Sequence, residues 1–568
     1  MKKLRWQLVI ILLTGLVVGF LLVTQQSNGI IAPVNPEPSE GGVYTEGLIG
    51  SLTRLNPLLD VYNPVDRDVN RLLFSGLVRF DSRGLPQPDL AETWGISQDG
   101  TIYNVSLRSN AVWHDGQPVT VDDVLFTIEM MRADDSPIQA DLRDFWKEVE
   151  VKRGDERNIQ FLLPEAFAPF LDYLTFGILP QHLLGDVAPG GLANHEFNLQ
   201  PVGTGPYRFD HLIVENNQIR GVVLNAFDKH YQKKPYIQQI VFRYYPDADA
   251  VLAAYNQGEI QGLGQVPPGI LGTVLAEPGL SLYASRQPEM SLVLFNLNST
   301  DLPYFKEKTI RQALIVGLNR QWMVDHVMGG QAILADGPLF PGTWAYFDGL
   351  ERISYDPDKA IALLKEAGYV LTDEGDQIRS KEGVRLAFTV LYPEDPLYQA
   401  MAEAIQRDWL KLGVQVTLEA LPYDQLVNDR LGQRNYQAAL VSLNLSRSPD
   451  PDPYPFWDQA QATGGQNYTQ WDDRNASEYL ERARITVDSN ERAKLYRNFQ
   501  LIFMEEMPAL PLFYPVYNFA IDRQVQGVQM GPLIDPSDRF ATVADWFLVA
   551  KRSAEANAPT SASATPSP

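Results

Sequence analysis

The 568 residues carry 47 basic and 70 acidic side chains, a formal charge of −23, and are 45% hydrophobic and 21% charged. That composition excludes a wholly disordered chain and leaves room for roughly two to four domains of ordinary size, while so acidic a chain repels phosphate backbones and excludes nucleic acid as a partner. Zero cysteines exclude disulfides, thiol nucleophiles, iron–sulfur clusters, thiolate zinc sites and a lipid-modified cysteine.

Lys2, Lys3 and Arg5 precede an uncharged run from Trp6 to Val23, the order that directs a chain out of the cytoplasm. As a helix rising about 1.5 Å per residue the run spans roughly 27 Å, near the lower limit for a bilayer, and the TQQSNG that follows lacks a clear small-x-small cleavage site. Residues 1–27 therefore read as a retained membrane anchor; the alternative is a signal peptide cut near Ser27 or Gly29. Residues 28–42 read as a Pro-rich tether and 551–568 as a low-complexity tail.

Between these ends the chain alternates strand and helix signals without internal repeats. Residues 101–119 hold short β runs joined by Ser-Asn and Asp-Gly turns, the mark of hairpins, and Thr120 with Asp123 forms a capping box that starts the helix VDDVLFTIEMMR. Asp356-Pro357 opens a helix that Gly368 closes. A strand at 384–392, a helix from Pro396 to Leu412 stopped by Gly413, and a strand at 414–421 make a βαβ unit. Asn490 is the expected cap of a helix from Glu491 to Met507, broken by Pro508, and ALPLFYPVY (509–517) reads as a strand buried on both faces.

Enzyme chemistry finds no foothold in the motifs. There is no Walker GxxxxGK[ST], and GLGQVP (262–267) lacks the third glycine and following helix of a dinucleotide cradle. Neither GxSxG nor HExxH occurs, and the six histidines never fall four apart, so no two-histidine metal face can form on a helix. Neither a metal nor a cofactor is expected. Acid pairs such as Asp122-Asp123 read as solvated faces or caps, and His114-Asp115 as part of a hairpin turn over Trp113 rather than a catalytic dyad. The segment SRSPDPDPYPFW (446–457), after the strand YQAALVSLNL (436–445), is a proline-stiffened loop that would present Asp450 and Asp452 at a strand end; the plainer reading is a surface loop whose aromatics cap a core edge.

Eight stretches in order, among them SLTRLNPLLD, VWHDGQPVTVDDVLFTI, PVGTGPYRF, LNAFDKHYQKKPYI, TIRQALIVGLNRQWMV and YDPDKAIALLKEAGY, resemble the extracytoplasmic solute-binding proteins of family 5, the dipeptide and oligopeptide receptors of ABC importers. The resemblance implies an α/β, bilobal periplasmic-binding-protein type II-like fold. Lobe I would comprise 43–80, 202–285 and 520–550, with a subdomain 81–201 inserted into it. Lobe II would comprise 286–519, and crossovers near 286 and 519 would form the hinge. It implies a monomeric receptor outside the cytoplasmic membrane that binds a peptide, or another solute such as an oligosaccharide or metal chelate, between its lobes and delivers it to permease subunits. It also places Asp60, Tyr62, Asn63, Gln265, Ser442 and Asn444 around the ligand, with Asp450 or Asp452 as partner of a ligand amine and Tyr514 or Tyr517 as either pocket wall or core. The competing reading from another class is an extracytoplasmic hydrolase of peptides or glycans using a carboxylate pair in the same cleft.

Overall fold

The apolar run at 509–517 continues through Asp522, giving a 14-residue strand, Ala509–Asp522, in the computed structural model, which describes residues 37–372, 375–445 and 450–549. Its first half pairs antiparallel with Glu289–Phe295 and Ala332–Leu334, its second half with Leu280–Arg286 and Gly262–Leu263. Among the described residues twelve strands join in this one mixed sheet. Beyond Gly262–Leu263 it continues through Val43–Ile49 and the parallel Gln239–Tyr245 to the hairpin Gln218–Ala226 and Tyr207–Glu215; beyond Glu289–Phe295 it continues through Ala438–Asn444 and Ala387–Pro393 to Gln415–Leu421. The expected βαβ unit is Ala387–Pro393, helix Pro396–Lys411 and the parallel strand Gln415–Leu421. Asp395 caps the helix by accepting from the Leu397 amide at 2.8 Å, and Gly413, at φ +83°, follows its end.

Glu40–Leu548 is one compact unit, but its apolar interior is divided. Buried side chains between Met290 and Tyr514 make one core, and those from Tyr44 to Tyr244 together with Tyr517 to Trp546 make a second. A third, smaller core runs from Val251 to Leu280 with Ala520, and the described chain enters and leaves the Met290–Tyr514 core at two places, Gln287–Pro288 and Pro515–Val516. The Gln287 amide donates to the Pro515 carbonyl at 2.7 Å, binding the two passages together. Pro288 and Pro515 at these points have no amide hydrogen to give to the sheet.

The long C-terminal helix of the second lobe is Ser489–Glu506, and its cap is Asp488 rather than the expected Asn490. Asp488 accepts from the Glu491 amide at 2.9 Å, and Asn490 lies inside the first turn.

A four-stranded antiparallel sheet, Ala91–Ile96, Ile102–Leu107, Asn158–Leu162 and Glu150–Arg153, forms a separate layer with helix Val121–Arg132. Asp123 is buried there as a cap: it accepts from the Thr120 amide at 2.9 Å, from the Trp113 indole at 3.3 Å and from the Gln181 amide at 3.0 Å. The PVGTGPYRF stretch locks this layer to the first lobe. A side chain at Gly203 or Gly205 would collide with the carbonyls of Leu73 and Leu72 at the end of helix Pro64–Leu73.

His114 sits in the same joint and is no catalytic base. Its Nδ1 accepts from the Gly203 amide at 3.1 Å, so the proton is on Nε2, which donates to the Gly205 carbonyl at 3.1 Å. Burial pushes its pKa down from 6.5 to about 4. The sign follows: below pH 6.5 the unfolded chain takes up a proton that the folded one refuses, so stability should fall by up to about 3 kcal/mol between pH 6.5 and 4. Burial also pushes His230 down to about 4, so in urea unfolding across that range His114→Gln should remove the His114 share of the slope and leave that of His230.

Among the described residues no helix is long and apolar enough to cross a membrane. The expected anchor 1–27 and tail 551–568 lie outside the described residues, as do Ser446 to Pro449 of the proline-stiffened loop.

Candidate functional site

Where the two lobes meet, a cavity of about 200 Å³ is walled by Leu48, Ile49, Pro64, Val65, Arg67, Asp68, Gly264, Gln265, Tyr517, Asp535, Pro536 and Arg539 on one side and by Gln287, Pro288, Glu289 and Asn444 on the other. Helix Pro64–Leu73 delivers its charged edge. Val65, Asp68, Val69 and Leu72 share one buried face at helical spacing, so Asp68 is an acid on an apolar stripe. Its counterion is Arg539, 1% exposed, which forks onto Asp68 with two contacts of 2.7 Å and onto Glu46 at 2.6 and 3.1 Å. The Tyr44 hydroxyl donates to Glu46 at 2.6 Å, and the guanidinium lies 4.2 Å from the Phe540 ring centre. Burial holds the carboxyls of Glu46 and Asp68 above their ordinary range against the pull of Arg539. This is a fixed charged floor whose hydrogen bonds are satisfied from within.

Of the expected ligand residues, Gln265, Asn444 and Tyr517 lie on this cavity. Tyr517 is 3% exposed, and its hydroxyl donates to the Gly264 carbonyl, fixing the loop that carries Gln265. Ser442 lies two strand positions from the wall residue Asn444: the Tyr398 hydroxyl donates to it at 2.7 Å, and it shares a hydrogen bond with Ser291 at 3.0 Å. Tyr514 points into the core of the second lobe, its hydroxyl donating to the Gly337 and Leu339 carbonyls at 3.0 and 2.7 Å.

The segment 60–63 stands beside the cavity without lining it. Asn63 caps helix Pro64–Leu73, accepting from the Val65 amide at 3.0 Å and donating to Ser51 O and Thr53 Oγ1 at 3.0 and 2.9 Å. Tyr62 is 85% exposed, with Gln139 donating to its hydroxyl at 3.4 Å. Asp60 is buried, takes a 3.0 Å hydrogen bond from Asn70, and faces a neighbouring cavity of about 150 Å³ with Arg71, Arg79 and Asp89. Arg67 and Asp535, an ion pair at 3.2 Å, line both cavities and form part of the wall between them.

Asp450 and Asp452 lie elsewhere, in a loop whose Tyr454–Trp457 turn is helical despite its prolines. Proline at the first turn of a helix sacrifices no hydrogen bond, which is why four residues can coil there. Asp450 is held bidentately by Arg492 at 2.5 and 2.8 Å, and its own amide donates to Asp172 of the four-stranded layer at 2.8 Å. Asp452 pairs with Arg484 Nε at 3.0 Å, and that guanidinium stacks 4.2 Å from the Tyr454 ring centre and 5.1 Å from Phe167. A ligand ammonium at Asp450 would have to displace Arg492; Asp452 keeps one buried oxygen, Oδ1, without a hydrogen bond. Burial, then the negative charge of Asp450, drives the Asp172 carboxyl well above its ordinary range. Among the described residues no three of His, Asp and Glu converge as a metal site.

The model of the bacterial extracellular solute-binding proteins, family 5 (middle), matches residues 86–466 of this chain. The chain belongs to that family. It is accordingly an extracytoplasmic solute receptor with the bilobal, type II-like α/β fold of the class. The oligopeptide-binding protein AppA of Bacillus subtilis is 27% identical over 534 residues, covering 92% of this chain and 95% of that one. Its structure with a nonapeptide matches with a TM-score of 0.66 at 25% identity, over 90% of this chain and all of that one. The dipeptide-binding protein of Escherichia coli is 27% identical over 78% of this family 5 chain and 84% of its own. NikZ from Campylobacter jejuni, in complex with Ni(L-His), matches with a TM-score of 0.66 at 26% identity, covering 90% of this chain and 100% of that one.

Proposed function

We propose that this family 5 receptor captures peptides between its lobes and delivers them to the permease of an ABC importer. The observation that carries the reading is the interlobe cavity, with walls from both lobes and only two chain passages joining them. A ligand touching both walls favours their closure, because its contacts are complete only when the lobes approach. Peptides are favoured as the solute by two relatives, one that binds oligopeptides and one that binds dipeptides. On this reading the lobes are 43–80, 202–285 and 520–550 with the insert 81–201, against 286–519. The crossovers expected near 286 and 519 fall on this reading at Gln287–Pro288 and Pro515–Val516, which moves 516–519 into the first lobe because Tyr517 and Phe519 pack in its core, and residues 1–27 tether a monomer to the membrane. Retention in the membrane fraction after a high-salt wash supports the tether, and a mature N-terminus near residue 30 overturns it.

The test is direct. Purified protein is incubated with a mixture of synthetic di- to nonapeptides, washed, and its bound material analysed by mass spectrometry. Recovery of intact peptides is the expected result. Peptide turnover would favour a hydrolase, and recovery of a metal chelate or sugar in place of peptide would move the receptor to another solute of the family.

A further inference from the structure

Glu289 opens strand Glu289–Phe295 immediately beyond the passage Gln287–Pro288, and it lines the interlobe cavity from the second lobe. The other acids on that cavity have their counterions: Asp68 holds Arg539 and Asp535 holds Arg67. Glu289 forms no ion pair among the described residues. Among the described residues its immediate neighbours are neutral, the Ser442 hydroxyl and, directly across the strand pair, Asn444. Burial raises its pKa, and no guanidinium offsets the rise. Glu289 is half-buried, and a carboxylate partly withdrawn from water without a counter-charge carries a desolvation cost that a cation arriving with the ligand would offset.

We propose that Glu289 is the group that receives the ligand's ammonium, so that the solute is a cation-bearing one; on the peptide reading, on which this rests, its handle is the free α-amine. Asp450 is ruled out for that part by Arg492, and Asp452, though it keeps one open oxygen, already carries Arg484. Glu289 also moves with the second lobe while the rest of the floor belongs to the first, so an ammonium seated on it is gripped only as the lobes come together.

The experiment is titration calorimetry of the full-length protein with tri-alanine and tetra-alanine, each with a free amine and N-acetylated, on the parent, Glu289→Gln and Asp452→Asn. The parent should prefer the free amine. Glu289→Gln should weaken the free-amine peptides by at least about 30-fold and leave the acetylated ones unchanged, so that the preference disappears. Its melting temperature should equal or exceed the parent's, because no internal counterion is orphaned, and this separates lost recognition from lost folding. A Glu289→Gln protein that keeps the parent's preference, or a preference that vanishes in Asp452→Asn instead, overturns the inference alone. A parent that binds none of the four peptides overturns the peptide reading and this inference with it.

Discussion

Arg539→Met should destabilise the protein by about 3–5 kcal/mol, a large effect for a single substitution. The substitution keeps the length of the side chain but removes the one cation between Glu46 and Asp68, which are otherwise surrounded by Tyr44, Tyr517 and Phe519. Two carboxylates would then be left without the guanidinium that joins them, Glu46 fully buried and Asp68 with only the more distant Arg67. The loss should ease as pH falls. Both acids already have folded pKa values above their ordinary ones because burial disfavours the charge, and without Arg539 these rise further. The penalty is therefore full above the raised folded values and is relieved as pH drops through them towards the unfolded ones. Urea unfolding at pH 7.5 and pH 5 measures both parts. A variant as stable as the parent at pH 7.5 would show that the cluster is solvated. Adding Glu46→Gln and Asp68→Asn to Arg539→Met should restore most of the loss, since the charges vanish together.

Asp450→Asn should cost about 3 kcal/mol of folding stability, whatever it does to ligand affinity. Arg492 is 4% exposed and its donors are shared among Asp450, the Tyr496 hydroxyl at 2.9 Å and the Ala483 carbonyl at 2.9 Å. Neutralising Asp450 leaves this guanidinium buried with no bidentate partner. The Asp450 main-chain amide that donates to Asp172 is untouched by the substitution, so the loss is that of the Arg492 pair. A double-mutant cycle of Asp450→Asn with Arg492→Met, read by urea unfolding, should give a coupling of about 1–3 kcal/mol; zero coupling would mean that the pair is not closed in solution.

Much of the lobe architecture could be read before any coordinates. Strand alternation at 414–421, the Gly413 stop and the caps at Thr120 and Asp356 are local signals, and each reports on a few neighbouring residues. The two buried arginine sites were legible only by half. Asp68 on the stripe Val65, Val69, Leu72, and Arg492 on the stripe Leu495, Tyr496, Phe499, are charges at positions where 3.6-residue spacing demands apolar side chains. A charge there announces a buried partner. Which partner it is lies outside any local pattern, because Arg539 is 471 residues from Asp68 and Arg492 is 42 from Asp450. Glu289 gave no signal at all: its strand reads as an ordinary buried one, and only the three-dimensional absence of a neighbouring cation singles it out. Composition suggested Asp450 and Asp452 as open carboxylates because a proline-rich loop looks exposed. Their burial comes from helices Arg474–Ile485 and Ser489–Glu506 folding back over the loop, which no spacing within it records.

The contact between Glu46 and Arg539 spans 493 positions of the chain, and it sets an order of events for biosynthesis. The first strand of the body, Val43–Ile49, emerges from the ribosome long before the segment that completes its core, Tyr517 to Trp546. Until then the first lobe lacks both its arginine and the second half of strand Ala509–Asp522. Loop-closure entropy this large is recovered only when the last tenth of the chain arrives, so the first lobe cannot finish folding vectorially from its N-terminus. For a protein that must pass through the membrane before it works, that delay is an advantage. A first lobe that closes only through a contact 493 positions apart stays incompletely folded until its last strand has been made.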